Sequence, residues 1–377
     1  MIRTAKALGY TVFTADNSPS NPGHALADKA FHVDTTDIDG ILALAERERI
    51  EAVIAACTDV AVPTAARVGA RFGLSAPPVA ACDTLCSKLA FRDFFASLDL
   101  PRPDHVRAPV PTDLFARHPA WIVKPDRSSG SKGVAIVHDA RELEIRIAQA
   151  AALSANREVI VEQMIEGAQG TCEGIVVDGR VTFHLVLDRQ TAAPPYTTTT
   201  GQLAPTRLSS ANVSRLIAAI ERVIKALEIS RCVFDCDFVC AGNEIYLLEI
   251  SPRLGGNSIC ELARAAYPGF DLVEYAVRLA CNDPMPPLPA QPAKAAAVRI
   301  LGATVAGTLT YDAGEVEALR AEPWVLRLVL DVPSGSEVRA FENSRYRLGE
   351  AVVVARDRDE LDHRLAELDR RLRLTTA

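Results

Sequence analysis

The segment Cys232–Ser251 reads as two strands joined by a turn near Gly242-Asn243. On that reading Asp235 and Asp237 share one face of the first strand, and Glu249 and Ser251 share one face of the second. Asp237 then lies opposite Glu249, and opposed residues have Cβ atoms roughly 4.5–5.5 Å apart. Two carboxylates that close repel unless a cation sits between them. Magnesium suits the pair, because it takes one or two carboxylates and completes its shell with phosphate oxygens. The plain alternative is two solvent-facing acids on a sheet edge. The chain continues "LEISPRLGGNS", which adds Arg253, Gly255, Gly256 and Asn257. An arginine beside such a site suits a phosphoryl or acyl-phosphate oxyanion. The glycines let backbone N–H groups approach it.

A second cluster is "IVKPDRSSGSKGV". A strand ends in Lys124 and hands over to Ser128, Ser129, Gly130, Ser131, Lys132 and Gly133. A plain hairpin needs fewer turn residues. This loop offers N–H groups, hydroxyls and positive charge together, which are the parts of a phosphate cradle. Cys232, Cys236 and Cys240, spaced by four, admit a metal cluster, but the alternation around them favours a strand whose core face carries small thiols.

The elements that must hold these clusters fall into four segments. Residues 1–85 alternate strand and helix, as in a parallel α/β domain: strands Tyr10–Asp16 and Glu51–Cys57, each followed by an amphipathic helix. Ile2–Gly9 resembles the end of a crossover helix, yet no strand and glycine turn precede it. Either the start is truncated or this domain uses an abnormal sheet, and the simpler expectation is that the natural protein begins upstream of Met1. His24 and Asp59 follow strands of this domain and are candidates to line a substrate site, with loop residues as the ordinary reading. Residues 86–165 form a small α+β unit, entered through a helix over Cys82–Leu100 with Asp83 as its cap. Residues 166–284 contain a hairpin at Asp178-Gly179, a polar loop Arg189–Pro205, an amphipathic helix and the Cys232–Ser251 hairpin. The proline-rich stretch Pro284–Ala297 opens a small C-terminal α+β domain, 285–377, ending in a charged helix over Asp357–Leu372.

The composition is that of a globular enzyme, with 49% hydrophobic and 24% charged residues. A formal net charge of -7 without a basic run argues against nucleic acid as partner. No apolar stretch suits a membrane span. Nine cysteines without CxxC pairs suit a reducing cytoplasm.

In order and spacing, Lys88, Lys124 with its Ser/Gly loop, "IVEQMIEG", "FDCDF" and "LEISPRLGGN" resemble the ATP-grasp superfamily. The similarity looks strongest toward carboxylate–amine ligases and proteins like the large subunit of carbamoyl-phosphate synthase. The resemblance implies an α/β and α+β multidomain ATP-grasp fold. It implies that Lys88 and Lys124 hold ATP phosphates and that Ser128 to Gly133 close over them. Glu162, Gln163, Met164 and Ile165 would face adenine, with Met164 packed on the base. Asp237, Glu249 and Ser251 would bind Mg2+, or Mn2+ in its place, and Arg253 would steady an acyl phosphate. Gln169 stands where the family usually has a ribose-binding glutamate, and Ser251 where it usually has asparagine. The activity implied is ATP-dependent amide or peptide formation from a small carboxylate and an amine. Activation of bicarbonate, and nucleotide binding without ligation, remain open at this stage. So does assembly as a homodimer.

Overall fold

The computed structural model describes residues 1–194 and 196–377. Strands are numbered in chain order. β1 (Phe13–Ala15) and β2 (Lys29–Phe31) form a two-stranded parallel sheet. Helices Ile2–Ala7, Ile38–Glu48 and Val62–Phe72 accompany it. Asp37 caps the second of these by accepting the N–H of Gly40.

The expected strand Glu51–Cys57 does not form. The segment belongs to no sheet and makes no backbone–backbone hydrogen bond among the described residues. Its apolar run specifies an extended chain, but a strand also needs a neighbour to pair with.

The expected single helix over Cys82–Leu100 is two helices, Val79–Leu85 and Lys88–Ala96. Ser87 breaks the run and caps the second helix through its hydroxyl, which accepts from the Ala90 N–H. Asp83 is not a cap; it pairs with Arg67 instead. The break places Lys88 on the first turn of its helix.

β3 (His105–Arg107), β4 (Trp121–Pro125), β5 (Ala135–Val137) and β6 (Val159–Gln163) form an antiparallel sheet in the order β3-β6-β4-β5. Helix Ala140–Leu153 closes its core, with Leu143 and Ala150 packed in one cluster with Trp121, Val123 and Val137. β3 lies inside the proline-rich connection, where sequence pattern alone gives no strand.

The remaining chain builds one eight-stranded sheet in the order β11-β10-β7-β8-β9-β12-β16-β14. Its strands are β7 (Ala168–Val177), β8 (Arg180–Thr191), β9 (Thr199–Ala204), β10 (Cys232–Ala241), β11 (Glu244–Ser251), β12 (Ala295–Leu301), β14 (Val325–Leu330) and β16 (Gly349–Ala355). The β7–β8 turn uses Asp178 and Gly179, both at positive φ, 51° and 73°, as a two-residue hairpin requires. The loop expected at Arg189–Pro205 is shorter than its polarity suggests, because β8 and β9 enter it from both ends; Pro195 lies outside the described residues. β13 (Gly307–Thr310), β15 (Glu337–Val338) and β17 (Thr375–Thr376) make a small side sheet. The segment after the proline-rich stretch thus adds strands to the large sheet rather than standing apart from it.

Period-2 alternation divides the large sheet's faces. Cys172, Cys232, Cys236, Cys240 and Phe238 pack in one cluster with Leu216, Ile220 and Val223 of helix Ser210–Ala226. The cysteine triplet is therefore buried packing. The opposite face carries Leu185, Leu187 and Val298 under helices Ile259–Ala266 and Leu272–Cys281. At the β10–β11 end this face turns polar, and the candidate site lies there. No described helix is long and apolar enough to cross a membrane.

Candidate functional site

Asp237 pairs in register with Glu249, and Asp235 with Ser251, across the β10–β11 hairpin. A bulge follows Asp237. Lys88 brings its ammonium 3.8 Å from the Glu249 carboxylate and donates to the Ser128 carbonyl at 3.3 Å. Asp126 ties these parts together: it accepts from the Ser87 hydroxyl at 2.9 Å and from the Leu89 N–H at 2.8 Å. Lys88, Ser128, Glu249, Ser251, Cys86 and Asp59 line one small pocket.

The loop after Lys124 has Gly130, Ser131 and Gly133 at φ +69°, +57° and +74°. At Gly130 a Cβ would lie 2.3 Å from Ser344 Oγ, so both conformation and close approach call for glycine there. Ser129 and Lys132 complete the loop.

Lys124 and Arg92 both donate to Glu162, one to each carboxylate oxygen. Arg92 also donates to the carbonyls of Leu247 at 3.0 Å and Leu248 at 2.9 Å. Arg92 and Glu162 are each 1% exposed, so this ion pair joins the small sheet to the large one through a dry contact. Burial pushes the Glu162 carboxyl up, but the two cations outweigh it and hold it down at about 2. The adenine-facing expectation for Glu162, Gln163 and Met164 needs correction in part. The Glu162 side chain faces the two cations. The Gln163 N–H donates to the Asp104 carbonyl at 2.7 Å, and the Met164 N–H to the Ala120 carbonyl at 3.2 Å. Ile165 follows directly, and Gln169 sits on β7 opposite Val239.

Arg253 is the centre of a second buried network. It donates to Asp59 Oδ1 at 2.9 Å and to Asp235 Oδ2 at 2.7 Å. Ser251 donates its hydroxyl to the same Asp59 oxygen. Asp235 also lies opposite Glu173 on β7. Burial and the neighbouring Asp235 push the Glu173 carboxyl well above its usual range. Burial raises Asp235 to about 6 against the pull of Arg253. Glu173 Oε1 accepts the Gly255 N–H at 2.9 Å, and a Cβ at Gly255 would lie 2.0 Å from that oxygen. The loop then passes through Gly256 to Asn257 and Ser258, both left-handed at φ 51° and 55°.

Asp59, Ser251, Arg253 and Gly255 therefore converge. His24 does not join them: its Nδ1 bonds the Thr14 hydroxyl at 2.8 Å, and its ring packs on His32 with centroids 5.3 Å apart. Sequence reasoning missed Arg92, Glu173 and Arg189. Arg92 and Glu173 were visible only as charges inside apolar runs, "LAFRDFF" and "TCEGIVV", and Arg189 only as the first residue of the expected polar loop. Such a charge must be paired if buried.

The ligating atoms that Asp237 and Glu249 offer are all oxygen, which fits a hard cation that keeps waters and takes phosphate oxygens, and Arg189 and Lys88 are the cations that face these carboxylates. Among the described residues no cluster of three or more His, Cys, Asp or Glu side chains is arranged to hold a metal by itself. Two carboxylates with an open remainder are what magnesium uses beside phosphates.

Residues 86–257 match the ATP-grasp domain family, and residues 299–377 match the L-amino acid ligase C-terminal domain 2. The uncharacterized protein y4rH of Sinorhizobium fredii is 27% identical, over 88% of this chain and 70% of that protein. The formate-dependent phosphoribosylglycinamide formyltransferase of Burkholderia pseudomallei is 27% identical, over 97% of this chain and 89% of that enzyme. The crystal structure of an L-amino acid ligase from Bacillus licheniformis superimposes with a TM-score of 0.83 at 17% identity, covering 100% of this chain and 94% of that one.

Proposed function

Because the chain belongs to the ATP-grasp superfamily, we propose that it is an ATP-dependent carboxylate–amine ligase that forms an amide through an acyl phosphate. The observation that carries this reading is the convergence of Lys88, Ser128, Glu249, Ser251 and Asp59 on one pocket, with Arg253 bonded to Asp59 beside it.

Lys88 and Lys124 bind nucleotide phosphates, and the Ser128–Gly133 loop covers them with N–H and hydroxyl donors. Adenine takes the segment Gln163–Ile165 through its carbonyls and the Met164 side chain, since the Gln163 and Met164 N–H groups already have partners. Gln169 accepts one hydrogen bond from the ribose. Asp237 and Glu249 would hold Mg2+, with Mn2+ able to replace it, and Ser251 would reach it through water. The metal supplies charge neutralisation at the phosphates.

A substrate carboxylate oxygen attacks the γ-phosphorus, and ADP leaves. The amine then attacks the acyl carbon, loses a proton, and phosphate departs with the former carboxylate oxygen. Arg253 is fixed by Asp59 and Asp235 before substrate arrives, so it stabilises the developing oxyanion without reorganising. Gly256 and Asn257 offer backbone donors to the same substrate, while the Gly255 N–H is held by Glu173. The L-amino acid ligase match over 299–377 supports an amino acid as substrate. The enzyme would act on small molecules in the cytoplasm.

Phosphate release is the test. With ATP and Mg2+, pooled amino acids should stimulate it well above background, and Asp237→Asn should raise the Mg2+ requirement sharply. Stimulation by bicarbonate alone would replace this reading with carboxyphosphate chemistry. Nucleotide binding without turnover on either pool would replace it with a binding protein.

A further inference from the structure

Both oxygens of Asp237 are already engaged by protein groups. Thr171 donates its hydroxyl to Oδ1 at 2.7 Å, and Arg189 donates Nη1 to Oδ2 at 2.6 Å. Arg189 lies on β8, two strands from β10, and reaches across β7 to make this contact. Its other donors go to the Thr199 hydroxyl at 2.8 Å and the Thr197 carbonyl at 3.4 Å. The Arg189 side chain is 11% exposed and that of Asp237 21%, so this is an enclosed charge pair and not a surface one.

A divalent cation ligated by Asp237 would sit roughly 2.0–2.1 Å from an oxygen. On Oδ2 it would meet the guanidinium at about 5 Å or less, and two cations that close repel strongly in an enclosed site. On Oδ1 it would displace the Thr171 hydroxyl and still share the carboxylate with Arg189. Arg189 therefore competes with the metal. Released from Asp237, an enclosed guanidinium needs a new anion. Thr197 and Thr199 keep it tethered beside the site while it finds one.

We propose that Arg189 is the internal counter-ion of Asp237 and passes to an incoming anionic oxygen, of a nucleotide phosphate or a substrate carboxylate, as the metal takes the carboxylate. This rests on the reading of Asp237 as a metal ligand. Metal and anion then bind cooperatively, because each removes the cost the other would meet alone. The site takes up metal weakly until the anion comes with it.

Mn2+ binding to the full chain, followed by the electron paramagnetic resonance of the free ion, tests this without turnover. Arg189→Met should bind Mn2+ alone at least about tenfold more tightly than wild type. The enhancement given by the partner anion should shrink by a similar factor in the variant. Parallel titrations with ADP and with pooled amino acids identify the anion, since only its enhancement depends on residue 189. Arg189→Lys keeps the charge and should stay near wild type, which separates counter-ion loss from any general disturbance at this position. Wild-type Mn2+ affinity in Arg189→Met, equal tightening in Arg189→Lys, or an enhancement independent of residue 189 for both anions would overturn the proposal. Asp237→Asn serves as the reference. If it loses Mn2+ while Arg189→Met is unchanged, the counter-ion role alone fails. If it binds Mn2+ like wild type, the metal assignment fails and the counter-ion role with it.

Discussion

Lys124 and Arg92 share one buried carboxylate, Glu162, and this separates their roles. Lys124 is the more exposed of the two, at 11% against 1%. Lys124→Ala leaves Glu162 paired with Arg92, so the fold should survive. One charge-assisted contact to phosphate is worth roughly 1.5–3 kcal/mol, so turnover at limiting ATP should fall by about 10- to 150-fold. Wild-type turnover in the variant would remove Lys124 from the phosphate site. Glu162 itself couples stability to pH. Its carboxyl is held at about 2 in the folded chain, against about 4.5 or slightly lower when unfolded. The ionised pair therefore stabilises fully above the unfolded value, and the contribution fades as pH falls toward 2. The difference corresponds to about 3 kcal/mol. Urea unfolding of wild type and Glu162→Gln at pH 6 and pH 2.5 should show wild type losing more stability on acidification. Parallel losses would contradict the pairing. The opposed Asp237–Glu249 pair was legible because period-2 register carries it; Lys124 stood out as the end of a strand before a Ser/Gly loop, and Lys88 only through the family resemblance. Arg92 and Glu173 were not, because their partners lie 70 and 82 residues away in sequence.

At the scale of elements, the Gly255 turn and strand β7 fit each other through one contact. Glu173 accepts the Gly255 N–H, and the space a Cβ would need is filled by the same carboxyl. Gly255→Ala should cost about 1–3 kcal/mol by overpacking and should lower activity by displacing Arg253 two residues away. Equilibrium denaturation reads the first effect. Adding Glu173→Ala should recover part of the loss in a double-mutant cycle, because the two residues occupy one space. Full additivity would show that the turn is strained for another reason. Elements were read well from sequence where they are self-contained, as with helix Ser210–Ala226 and the β10–β11 hairpin. They were misread where a distant partner decides. Glu51–Cys57 has strand composition and no strand to pair with. Ser87 ends one helix and starts another because it caps one helix and bonds Asp126, 39 residues on.

At the scale of the molecule, the large sheet carries the site at one end and the L-amino acid ligase-type segment at the other. β12 pairs with β9 and with β16, so residues far apart in sequence share one hydrogen-bonded layer. The sequence showed a proline-rich stretch at 284–297 and suggested a boundary; a ladder between β9 and β12 leaves no local mark. The far segment also reaches the site. The Ser344 N–H donates to the Gly130 carbonyl at 3.3 Å, and Thr198 donates its hydroxyl to the Glu342 carbonyl at 2.6 Å. The Ser128–Gly133 loop and the threonine segment thus meet the same stretch of chain. A ligase built this way has one chemical signature, the path of a carboxylate oxygen. Pooled amino acids labelled with oxygen-18 in their carboxyl groups, incubated with the chain, ATP and Mg2+, should yield phosphate carrying one labelled oxygen for each amide formed. Release of unlabelled phosphate alongside amide would contradict an acyl phosphate and, with it, the proposed function.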